Sequence, residues 1–139
     1  MHNSILLFLL AVPVGLWAQN DLPPVVQRGL VELRNGHCQD AMDLWTSTWP
    51  EPQKSQMAGS CPGLAQYAGA VHGYDVIRVV DVTPHMRRVY AMLQCEAEPV
   101  FLLVVVYQPG DADWKVGVVN WNTDPDKVIP ASILPPQRP

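Results

Sequence analysis

Four runs of β-branched and aromatic residues between positions 74 and 121 leave this chain few folds to choose from. They read YDVIRVVDV (74–82), MRRVYAMLQCE (86–96), VFLLVVVY (100–107) and DWKVGVVNW (113–121). Side chains of this kind fill pleated, half-buried surfaces. Between the runs lie Thr83-Pro84-His85, Ala97-Glu98-Pro99 and Gln108-Pro109-Gly110-Asp111, all turn chemistry. Connections this short cannot carry a parallel crossover, so successive strands must lie antiparallel. The spacing predicts a four-stranded meander.

The residues before it follow a helical period. Leu22, Val26, Leu30 and Leu33 recur at helical spacing behind Pro23-Pro24, and Asn35-Gly36 supplies a stop. Cys38, Ala41, Met42, Trp45 and Trp49 then form a second apolar stripe, with Asp40 and Asp43 early in it and Pro50 closing it. Ser60 and Pro62, followed by Leu64, Tyr67, Ala68 and Val71, permit a short third helix. Helices first and strands after are the α+β arrangement: two or three N-terminal helices packed on a four-stranded antiparallel meander sheet.

The extreme N-terminus obeys neither pattern. Residues 5–16, ILLFLLAVPVGL, are uncharged, and Trp17-Ala18 is followed by polar Gln19-Asn20-Asp21. This is the grammar of a signal peptide over residues 1–18, cut near Ala18-Gln19. The segment before it lacks Lys and Arg, and Leu16 is large for the position it would occupy before the cut. A membrane anchor is the rival reading, but a spanning helix takes about 20 apolar residues. This run is shorter and holds Pro13 and Gly15. No second long apolar run follows, so the expectation is a periplasmic or secreted chain with no membrane association after cleavage. An α+β domain then covers residues 19–122, and a Pro-rich extended tail covers 123–139.

Composition narrows the function classes. A hydrophobic fraction of 48% argues against disorder. The net charge of −4 argues against nucleic acid, whose phosphates call for a basic surface.

If the hairpins pair symmetrically about their turns, alternation sorts the strands into two faces. One face takes Ile77, Val79, Val89, Ala91, Leu93, Cys95, Val100, Leu102, Val104, Val106, Trp114, Val116 and Val118 and should receive the helices, with Asp75, Asp81, Arg87 and Asn120 towards its ends. The other takes Tyr90, Met92, Phe101, Leu103, Tyr107 and Trp121 as a candidate interaction face, with Val76, Arg78, Val80, Arg88, Val105, Lys115 and Val119 beside them. That second face is too apolar to remain wet. A second copy of the chain, making a homodimer, the C-terminal tail, or another partner would cover it.

The order of elements resembles the NTF2-like (cystatin-like α+β) superfamily, in which helices pack into the concave side of a curved sheet. The resemblance is carried by Trp114-Lys115-Val116 and by the exit Asn120-Trp121-Asn122-Thr123-Asp124-Pro125-Asp126-Lys127-Val128-Ile129-Pro130, which is similar to the last strand of small uncharacterised bacterial secreted proteins of that group. Leu33-Arg34-Asn35-Gly36 through Ala41 to Trp45 fits its helical part. Membership implies a pocket between helices and sheet, suited to a small apolar ligand, and frequent dimerisation. The functions it implies run from isomerases to non-catalytic modules, because fold does not select chemistry.

Candidate sites are few. Three cysteines allow one bridge and leave one thiol over. A Cys38–Cys61 bridge would tie the second helix to the loop behind it and contribute on the order of 3 kcal/mol; the alternative is three reduced thiols. Cys95 reads as a small buried hydrophobe. His37, His72 and His85 have no metal-ligand spacing among themselves or with the cysteines, and no metal or cofactor is expected. Asn122, Asp124 and Asp126 alternate as in a calcium loop, but Lys127 stands where that loop needs glycine and Ile133 where it needs glutamate. Asp81 faces Arg87 in a cross-strand pair. His72 and Asp75 are the only catalytic candidates, near the expected pocket mouth. The reading is therefore a non-catalytic binding or interaction domain. A small hydrolase or isomerase using the helix–sheet cavity, and a structural subunit of an envelope complex, are the alternatives.

Overall fold

The computed structural model describes residues 22–134, so the signal-peptide reading of residues 1–18 and positions 135–139 of the tail lie outside the described residues. Prolines open the first helix, α1 (Pro24–Arg34), where their missing N–H groups would have no helical partner. It buries Val26, Leu30 and Leu33 along one stripe and ends in Asn35-Gly36. A second helix, α2 (Cys38–Trp45), folds back on it and buries Ala41, Met42 and Trp45. The two meet at Gly29, where a Cβ would lie 2.1 Å from the Trp45 indole. The indole Nε1 donates to the Val25 carbonyl at 2.9 Å, locking the ring across α1.

The second stripe is shorter than its periodicity suggests. α2 stops at Trp45, four residues before Trp49. Thr46 turns its hydroxyl back onto the Met42 carbonyl at 2.7 Å, and Ser47 and Thr48 continue a run that competes for backbone bonds. Trp49 leaves the stripe and donates its Nε1 to the Val116 carbonyl at 2.7 Å, on the far edge of the sheet. A short helix that the sequence reading does not anticipate, α3 (Gln53–Ala58), comes next, and after Gly59-Ser60 the expected third helix forms as α4 (Cys61–Ala68). A disulfide joins Cys38, the first residue of α2, to Cys61, the first of α4.

Beyond α4 the chain forms β1 (Val71–Thr83), β2 (Met86–Cys95), β3 (Val100–Tyr107) and β4 (Lys115–Asn122). They make one antiparallel sheet in the order β1-β2-β3-β4. The α+β class and the helices stacked on one side of a four-stranded meander are as the sequence predicts. β1 begins earlier than expected, at Val71, absorbing a residue assigned to the third helix.

The two central strands alternate as read. Val89, Ala91, Leu93, Val100, Leu102, Val104 and Val106 are buried beneath the helices. The two edge strands do not keep their alternation, because each carries a bulge, and one extra residue moves every later side chain to the opposite face. In β1 the pairing slips between Val76 and Arg78. Tyr74 and Val76 therefore join the helix-covered core, while Ile77 packs on the second face. Asp75 pairs with Met92 and shares that second face, which corrects its assignment to the pocket mouth. In β4 the slip falls at Gly117, so that Val106 pairs with Val116 but Val105 with Val118. Val118 is consequently exposed on the second face, and Val119 and Trp121 pack on the helix side. Trp121 is thus removed from the proposed interaction face.

The middle of that face is covered from within. After β4 a 3-10 turn, η1 (Pro125–Lys127), redirects the chain. Asn122 accepts from the Asp124 N–H at 2.9 Å and Asp124 from the Asp126 N–H at 3.0 Å, so the alternating acids serve as turn caps. Val128, Ile129, Ile133 and Leu134 then lie against Tyr90, Ile77, Val80, Phe101 and Leu103. Tyr90 is left 2% exposed. The C-terminal segment is not merely extended; it is the lid of a second small core.

Candidate functional site

The helix layer stops short of the sheet at one corner. There α4 faces the start of β3 and the end of β4 across an open groove of about 500 Å³. Leu64 and Tyr67 come from α4, Val100 from β3, Trp121 and Asn122 from β4, and Glu98 from the β2–β3 turn. An apolar concavity with a few convergent polar groups is the usual form of a small-molecule site.

The α4 wall is set by its ends. An eight-residue helix is too short to persist alone, and α4 buries only Cys61 and Ala68. Its first residue is held by the disulfide to α2. Its far end is held by the β2–β3 turn, where Ala97 N–H donates to the Ala68 carbonyl at 2.8 Å and Glu96 N–H to Ala70 at 2.9 Å. Gly69 allows this approach: its φ is +81° and a Cβ would press on Glu96 at 3.2 Å. Anchored at both ends, α4 turns Tyr67 outward to 72% exposure on the rim. The other wall is the sheet itself, and Trp121 reaches it because the Gly117 bulge brings that side chain to the helix side.

The two catalytic candidates, His72 and Asp75, lie away from the groove. His72 is exposed on β1, and Asp75, also exposed, accepts from the Gln94 amide at 2.8 Å on the second face. Neither lines the groove. Arg87 meets Asp81 at 2.9 Å as expected and also lies over the Trp114 ring, 4.7 Å from its centroid. Both contacts hold the end of the sheet. Burial pushes the Cys95 thiol above its ordinary value, which keeps it protonated and poorly nucleophilic.

Of the proposed interaction face, Tyr90, Phe101 and Leu103 lie under the C-terminal segment. Met92 is half-buried beside Phe101. Tyr107 is 40% exposed and shares the open end of that face with Val82, Met86 and Val118.

Two features escaped sequence reading. Glu32, His37 and Asp40 gather where α1 turns into α2, with one ligand atom from each within 4.8 Å of the others. The His37 Nδ1 lies 2.9 Å from the Glu32 carboxylate, a local contact that accounts for two of the three groups. A cleft of about 530 Å³ beside it is lined by Gln27, Arg28, Glu32 and Asp40 together with Val31 and Leu44, and no aromatic ring lines it. The second feature is the groove itself. Tyr67 was legible only as a member of a helical stripe, and Trp121 was assigned to the wrong face by strict alternation.

Among the described residues no helix is long and apolar enough to cross a membrane. Comparison with protein-family models, with curated proteins and with solved structures found no match to this chain.

Proposed function

We propose that this chain is a non-catalytic binding domain that works outside the cytoplasm, exported by residues 1–18 and built on the NTF2-like plan. The α4–sheet groove is its ligand site. The observation that carries this reading is the pairing of a partly exposed Trp121 with a 72% exposed Tyr67 across one apolar concavity. A short helix fixed at both ends to hold a tyrosine in water adds little to folding, but it supplies a rigid aromatic wall for a ligand. The Cys38–Cys61 bridge supports the location, since such bridges persist in oxidising compartments.

The test is a fragment screen on the ¹⁵N-labelled, oxidised chain, followed by amide and indole resonances. Binding at this groove should move Leu64, Tyr67, Trp121 and Asn122 together. Fragments that perturb only the α1–α2 cleft, or chemical turnover of a bound fragment, would defeat the reading.

A further inference from the structure

The groove is electrically one-sided. One residue with a formal charge lines it, Glu98, and no lysine or arginine does. Its apolar walls hold two electron-rich rings, Tyr67 and Trp121, with the Asn122 amide beside them. Aromatic faces carry a negative quadrupole that attracts cations, most strongly where water is excluded. From this arrangement we infer that the ligand, granted the binding-domain reading above, is a small organic cation: an alkylated ammonium group on an apolar body.

The alternatives fail on the same residues. An anion would approach a carboxylate with no basic group to offset it. A neutral apolar molecule would strip water from the Glu98 carboxylate and return nothing for it. A hard metal cation takes six or more oxygen ligands with several carboxylates among them, and the groove has one carboxylate, Glu98, beside the neutral oxygens of Ser60, Asn122 and Thr123. An organic cation satisfies all the groups at once: its alkyl body covers Leu64 and Val100, its charge faces the rings, and Glu98 neutralises it.

The experiment titrates the oxidised chain as isolated with benzyltrimethylammonium, and separately with the neutral analogue in which carbon replaces the nitrogen. The readout is the shift of the Tyr67, Trp121 and Asn122 resonances. The cation should bind at least tenfold more tightly than its neutral analogue. Glu98→Gln and Tyr67→Ala, both at exposed positions whose replacement spares the fold, should each weaken the cation about tenfold. Glu98→Gln should bind the neutral analogue no more weakly than the parent, because the carboxylate it would desolvate is gone. Equal binding of the two compounds, or a Glu98→Gln variant that binds the cation as before, overturns the cation assignment and leaves the groove as a site. No shift at the groove with either compound overturns both.

Discussion

At the scale of single residues, the packing of α1 on α2 turns on Gly29, beside which the Trp45 indole leaves no room for a side chain. The indole is 1% exposed, is bonded to the Val25 carbonyl, and occupies the volume that any larger residue at position 29 would need. Helix propensity alone would favour alanine at position 29 by about 1 kcal/mol. Overpacking a fixed ring works against it and is larger here, about 2–3 kcal/mol, the upper part of the usual range, because the added Cβ would fall inside the ring's contact distance. The ring cannot retreat without breaking its hydrogen bond. Gly29→Ala should therefore lower stability by about 1–2 kcal/mol net, read as a lower urea midpoint with an unchanged slope. A variant as stable as the parent, or more so, would mean that Trp45 is free to move.

At the scale of elements, α4 is held by its two ends, and the disulfide is one of them. Cys38 and Cys61 are 23 positions apart, and closing a loop of that length removes unfolded-state entropy worth about 3 kcal/mol. Breaking the bridge should act locally before it acts globally. α4 buries two side chains, whereas α1 and α2 are locked through Gly29 and Trp45. Cys38→Ser/Cys61→Ser should thus lose about 3 kcal/mol in a denaturant melt. It should also raise amide exchange at residues 61–68 under native conditions while β2 and β3 remain protected. Exchange that rises evenly over the whole chain would show that α4 is not a separately anchored element.

The same scale explains what the sequence could and could not disclose. The two central strands were legible residue by residue, because their neighbours on both sides force strict alternation: Val89, Ala91, Leu102 and Val104 lie where period two puts them. The edge strands have a free side on which an extra residue can bulge, and β1 and β4 each use it. One slip at Gly117 sends Val118 outward and Trp121 inward, and another near Ile77 does the same for Asp75 and Val76. Nothing in the local composition marks these slips except the glycine. The groove depends on that second-order detail, since its Trp121 wall exists only because of the bulge. α2 was read too long for a related reason: Trp49 keeps the helical spacing, and only the sheet edge it bonds to explains why it leaves.

At the scale of the whole molecule, the sheet has two covered faces made in different ways. The helices cover one, and residues 128–134 cover the middle of the other through Val128 and Ile129, both nearly buried, with Ile133 and Leu134 half-buried behind them. Burying two such side chains contributes about 3–6 kcal/mol as an upper estimate. Removing residues 128–139 would forfeit that and bare Tyr90, Phe101 and Leu103 as one apolar surface, which is the condition for self-association. With the segment in place, the apolar part left open is the strip of Val82, Met86, Tyr107 and Val118. Arg88 and Lys115 share that face through their pairing with Val105 and Tyr107. A two-fold partner would bring both copies of these cations into one interface. The intact chain should therefore scatter light as a monomer at micromolar concentration, and the chain lacking residues 128–139 should form dimers or larger species with a lower urea midpoint. An intact chain that stays dimeric on dilution would place the interface on the open strip. A truncated chain that stays monomeric with an unchanged midpoint would mean that the C-terminal segment is not the cover that keeps this face dry.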